Sequence, residues 1–133
     1  YRCGINSVGV TDQQQLLDNF ASKASRFQSW DEEPLLEWGD LSTEEGQQYA
    51  KEISPILHVE NIKAPVLVLH GSNDYIVPVF HARDLISKLK QLGKTYDSMF
   101  QAYDGHCVTS CGEMANLEYL NKQEEFLDKY LFN

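Results

Sequence analysis

Pro65-Val-Leu-Val-Leu-His-Gly-Ser-Asn-Asp74 is the stretch whose reading decides the fold. Four aliphatic residues, Val66 to Leu69, follow Pro65 without a polar interruption. An alternating pattern marks a strand wet on one face, whereas an unbroken apolar run marks a strand covered on both, as in a parallel sheet. Gly71 to Asp74 is turn sequence. Downstream, Ala82, Leu85, Ile86 and Leu89 recur at helical spacing, and Gly93 can end that helix. Ser98 to Tyr103 reads as a further strand. Strand, helix, strand is the unit of an open α/β sheet, and such sheets place their sites where adjacent strands end. Asp74 follows one strand and His106, 32 residues later, follows the next, with Gly105 expected to let the backbone turn ahead of it.

Outward from this core, Cys3 to Val10 reads as a short buried strand. Thr11-Asp12 ends it and can cap a helix that carries Leu16, Leu17, Phe20, Ala21, Ala24 and Phe27 on one face. Gln28 to Leu41, with Trp30, Pro34 and Trp38, is irregular. Ser42-Thr-Glu-Glu45 is a capping box, with Ser42 as N-cap, that opens a helix through about Glu52. The chain closes on a helix from about Leu117 to Leu131 whose inner face includes Tyr119, Leu120, Phe126, Leu127, Tyr130 and Leu131. Neither repeats nor low-complexity linkers interrupt the order.

Composition narrows the partners. A net charge of −9 without a basic patch argues against nucleic acid, whose affinity comes largely from clustered Lys and Arg. Asp31-Glu-Glu33 and Glu44-Glu45 read as a solvated face. The longest aliphatic run, Val66 to Leu69, is far below the ~18 residues that span a bilayer, and no signal peptide or membrane anchor is visible. Three cysteines make no disulfide framework. Cys107 and Cys111 with one neighbouring His lack the second ligand pair of a zinc site, so they read as free thiols and no metal is expected. Cys3 reads as a small core residue. Free thiols give a mild preference for a cytoplasmic setting and leave localisation otherwise open.

Three segments carry a resemblance: Gly9-Val-Thr-Asp12, the long ordered run from Ser54 to Pro78, and Tyr103-Asp-Gly-His106. Together they resemble the catalytic domain of the prolyl oligopeptidase family, especially its acylaminoacyl-peptidase and dipeptidyl-peptidase-like branches, over nearly the whole chain. The resemblance implies the C-terminal half of an α/β-hydrolase fold, about three parallel strands with flanking helices. It implies a serine peptidase acting on short peptide or acyl substrates without a cofactor, and it makes Asp74 and His106 catalytic. On their own, Asn73-Asp74 is good turn sequence and His106 a loop histidine; the surrounding match gives them roles. The chemistry is coherent, because a serine hydroxyl needs an imidazole to take its proton and a carboxylate to fix the imidazole tautomer.

The nucleophile does not follow from this sequence. In the α/β-hydrolase order the triad runs nucleophile, acid, histidine, and the nucleophile sits in Gly-x-Ser-x-Gly. No serine here has both glycines: Ser7 has Ile5 before it and Ser110 has Val108. Residues 1–133 are therefore expected to form a partial catalytic domain, inactive in isolation, whose nucleophile-bearing half and oxyanion hole lie outside the chain. Such a piece is expected to self-associate or to pair with the missing half.

Ile76 departs from the family, whose members often carry Arg or Asn there. His70 resembles the family's structural His-Gly pair and reads as a packed residue. His58 and His81 read as surface or helix-face residues. Trp30 and Trp38, near the family's active-site entrance, read as packing their loop. Two alternatives stay open: a carboxylesterase-type hydrolase on the same fold, and a non-catalytic association module.

Overall fold

The computed structural model describes residues 1–23, 40, 43–102, 104–106 and 112–132, with only the backbone for 20–23 and 115. Two compact units divide the chain: one formed by Tyr1–Gly9 with Val59–Asn133, the other by Val10–His58.

The first unit is a three-stranded parallel sheet, β1 (Gly4–Ser7), β2 (Val66–Gly71) and β3 (Tyr96–Gln101), in spatial order β1-β2-β3. The apolar run places β2 at the centre, where Leu67, Val68 and Leu69 have no exposed surface. Leu67 and Leu69 pack with Tyr119 and Phe126 of the helix Glu113–Leu127. Val68 alternates to the opposite face. Between β2 and β3 runs the helix Phe80–Gln91, which packs on both strands and buries Ala82, Leu85 and Leu89. Its end is closed by the two bonds of a Schellman motif, Gly93 N–H to Lys90 O at 3.1 Å and Lys94 N–H to Leu89 O at 2.9 Å, with Gly93 at φ 63°.

Several boundaries differ from expectation. β1 is shorter than Cys3–Val10 and mostly exposed, because it is the edge of the described sheet and has a neighbour on one side only. Past its end Val8 is buried at φ 47°, an uncommon conformation for a β-branched residue. It is held by its N–H to Leu69 O and by Gly9 N–H to Asn6 Oδ1. β3 begins at Tyr96 and stops at Gln101; Tyr103 lies outside the described residues. The last helix starts at Glu113 and ends in a π-helical turn, Asp128–Phe132. Its inner face is narrower than expected: Tyr119 and Phe126 are buried, while Leu120 and Leu131 are exposed.

Among the described residues the second unit holds the helices α1 (Gln13–Lys23) and α2 (Glu44–Glu52), packed together. Asp12 caps α1 by accepting from Gln15 N–H at 3.0 Å, and Leu16 is buried. The N-cap of α2 is Thr43, one residue after the expected Ser42, and it accepts from Gly46 N–H. With the cap at Thr43, the N3 position falls on Gly46, so no capping box forms. Buried Ser54 joins both helices, donating to Ala50 O at 2.6 Å and accepting from Gln13 N–H at 2.9 Å. Ser42, Ala24, Phe27, Trp30, Pro34, Trp38 and the acidic run 31–33 lie outside the described residues.

Candidate active site

The turns that follow β2 and β3 are stitched together at one end of the sheet. Ser72 N–H donates to Gln101 O at 2.9 Å, and Asn73 N–H donates to Asp104 O at 3.0 Å. Parallel pairing of the two strands puts both turns at the same edge.

Asp74 sits between them with its side chain wholly buried. Its Oδ1 accepts from the backbone N–H groups of Ile76 at 2.9 Å and Val77 at 2.8 Å, an Asx turn that fixes the carboxylate. Oδ2 is left to face His106 Nδ1 at 2.8 Å. A carboxylate only accepts, so the imidazole donates from Nδ1 and keeps Nε2 as its basic nitrogen. The donors supply what a buried charge requires. The imidazole is 31% exposed, so a proton can reach it. Sequence reasoning singled out these two residues, and the fold brings them into contact.

His70, fully buried, is the third member of the cluster. Its Nε2–H donates to Val77 O at 2.8 Å and stands 3.4 Å from Asp74 Oδ2. It thus ties the loop that carries the acid to the end of β2, as a packed residue would. Ile76 and Tyr75 are exposed beside the pair. The Ile76 side chain has no donor, and its N–H is already given to Asp74.

The remaining histidines part ways. His58 is exposed, with Nε2 2.9 Å from Glu52 O. His81 occupies a helix face, but the inner one: it is fully buried, its ring 4.4 Å from that of Phe80. It stands one residue before Ala82 and four before Leu85, a spacing that puts it on the face of the apolar stripe. Cys3 is half-buried against the core with a free thiol, less enclosed than expected because β1 is an edge. Cys107, Ser110 and Cys111 lie outside the described residues, among which no group of three or more His, Cys, Asp or Glu could hold a metal.

Tyr119 is the member that the sequence did not single out beyond packing. Its hydroxyl is buried without a partner among the described residues. Burial first, then the negative fields of Asp104 and Asp74, push the phenol up to about 12 from its ordinary 10.0. An aromatic hydroxyl on an inner helix face is the only sequence signal that marks it.

The chain resembles known proteins in both sequence and fold. It is 31% identical over 101 residues to dipeptidyl-peptidase 4 of Giardia intestinalis, covering 74% of this chain and 13% of that protein. It is 44% identical over 41 residues to the probable carboxylic ester hydrolase LipM of Mycobacterium tuberculosis, covering 31% of this chain and 10% of that protein. The structure of Pyrococcus horikoshii acylaminoacyl peptidase superimposes with a TM-score of 0.75 at 19% identity, over 98% of this chain and 20% of that one. At that identity the likeness shows the α/β-hydrolase fold alone, and the chain spans a fifth or less of the length of each of these proteins. The sequence pattern of the prolyl oligopeptidase family matches residues 1–133, and the chain belongs to that family.

Proposed function

We propose that Asp74 and His106 are the acid and the base of a Ser-Asp-His triad in a serine peptidase that cleaves short peptides by acyl transfer. The nucleophile comes from a part of the catalytic domain outside residues 1–133. The observation that carries this reading is the 2.8 Å bond between a buried carboxylate and a part-exposed imidazole, each on the turn after one of two adjacent parallel strands. In the reaction His106 Nε2 takes the serine proton as the hydroxyl attacks the acyl carbon, and returns it to the leaving amine. Asp74 holds the ring and stabilises the imidazolium. The dipeptidyl-peptidase and acylaminoacyl-peptidase relatives support a peptide substrate.

The match to a probable carboxylic ester hydrolase favours a second reading, ester hydrolysis by the same pair. Among the described residues β1 pairs on one side only, which supports pairing with another part of the catalytic domain or with a second copy.

The test uses the protein that carries both this chain and its nucleophile, assayed on a peptide anilide and on an aryl ester. His106→Ala should lower kcat by several orders of magnitude, and Asp74→Asn by a comparable or smaller factor, with the fold kept. A loss of less than about tenfold in a folded variant removes that residue from the triad. Turnover of the ester without the anilide selects the second reading.

A further inference from the structure

We propose that Gly71 is the positioning residue of the Asp74–His106 pair, through the side chain it lacks; the inference rests on reading that pair as acid and base. Gly71 is the buried last residue of β2. A Cβ placed on it would lie 2.1 Å from Gly105 O, 2.4 Å from Asp104 O and 2.8 Å from the Asp104 carbonyl carbon. All three are backbone atoms, so no side-chain rotation relieves the overlap. The segment that delivers His106 therefore rests directly on the Cα of Gly71.

Backbone conformation does not demand this glycine. Among the described glycines only Gly93 has a positive φ. Nor does the glycine expected to matter, Gly105, carry the requirement: a Cβ there would meet Asn73 O at 3.6 Å, an ordinary contact. What the site needs is close approach of two main chains, and that need falls on Gly71. A methyl group at position 71 must push the Gly105 carbonyl oxygen out by about 1.3 Å and that of Asp104 by about 1.0 Å, from 2.1 Å and 2.4 Å to the 3.4 Å of ordinary contact. Asn73 N–H to Asp104 O, at 3.0 Å, and His106 Nδ1–H to Asp74 Oδ2, at 2.8 Å, both span the same gap. A shift of that size stretches either bond past hydrogen-bonding distance. His70 is held differently, since its bond to Val77 O lies within the loop after β2 and does not cross to Asp104. Gly71 thus acts on the base and not on the acid.

The experiment is ¹⁵N NMR of the histidine-labelled protein that carries both this chain and its nucleophile, which reads each histidine's tautomer without any turnover. In the wild type His106 should be held as the Nδ1–H tautomer, its bonded proton protected from solvent. Gly71→Ala should shift His106 to the mixture of a free imidazole and raise exchange of that proton at least tenfold, while His70 keeps its Nε2–H signature and the Leu67 and Leu69 methyl shifts stay in place. Gly105→Ala should match the wild type. Retention of the His106 tautomer in Gly71→Ala overturns the proposal, as does equal loss at His70, equal loss in Gly105→Ala, or global unfolding of Gly71→Ala, which would make the glycine a requirement of the fold. Absence of the Nδ1–H tautomer in the wild type sinks the reading of the pair itself, a result distinct from any of these.

Discussion

His70 Nε2 stands 3.4 Å from Asp74 Oδ2, with both side chains wholly buried and four residues apart in the chain. The shorter bond of the same N–H goes to Val77 O at 2.8 Å. One donor therefore spans the loop that presents the acid. His70→Ala removes it, strands a carbonyl oxygen and opens a cavity, so the chain should lose about 2–4 kcal/mol of stability in urea unfolding. His106→Ala, at a part-exposed position, should cost about 1 kcal/mol or less. Equal costs for the two would contradict the assignment of His70 to structure and His106 to chemistry.

The difference between these histidines shows what a sequence can carry. β2 was legible because Val66 to Leu69 is a short, Val-rich apolar run bounded by Pro65 and Gly71, which fits a strand covered on both faces. Asp74 and His106 were legible because each follows a strand at a fixed place in an ordered motif. β1 was read as buried because Cys3 to Val10 is fairly apolar, yet burial depends on which strands flank it, and that is a property of the whole sheet. Ser42 and Thr43 are both capping residue types, and the adjacent position alone does not tell them apart; at Thr43 the N–H and Oγ–H donate to Asp40 O. Gly105 drew attention as the glycine of Asp-Gly-His. The crowding falls instead on Gly71, which only the approach of two distant segments reveals.

Residues 1–133 alone should hydrolyse neither a peptide anilide nor an aryl ester. Asp74 and His106 without a nucleophile and an oxyanion hole offer no acyl-enzyme route. Turnover by the purified chain that survives His106→Ala would mean a different site. Turnover that the substitution abolishes would mean that a residue of this chain serves as nucleophile.

Tyr119 predicts an alkaline weakness. Its phenol ionises near 10.0 when exposed and near 12 in the fold. Between those values the folded state binds the extra proton, so stability falls as pH rises from about 10 and levels off above about 12, by at most about 1.4 kcal/mol per pH unit. Tyr119→Phe should remove that slope. It should also leave stability at pH 7 unchanged or slightly raised, since the buried hydroxyl has no partner among the described residues to lose. Urea midpoints at pH 7, 10 and 11.5 for both proteins decide it, and parallel decline of the two would clear Tyr119.

The edge of the sheet carries the last prediction. β1 pairs with β2 on one side, and among the described residues its other side has no partner. Ile5, in the middle of that strand, is exposed, and Met114, Leu117 and Leu120 are exposed along one stretch of the closing helix. Unpaired N–H and C=O groups beside apolar side chains recruit further strands. A β1–β1 contact between copies would cover the free edge and Ile5 and close on a twofold axis. The isolated chain should therefore associate at micromolar concentration. Replacing Ile5 by Lys should weaken that association, because a charge on an edge strand opposes pairing. Sedimentation equilibrium over a hundredfold dilution measures both; a compact monomer throughout, with the same behaviour in Ile5→Lys, would show that this edge needs no partner.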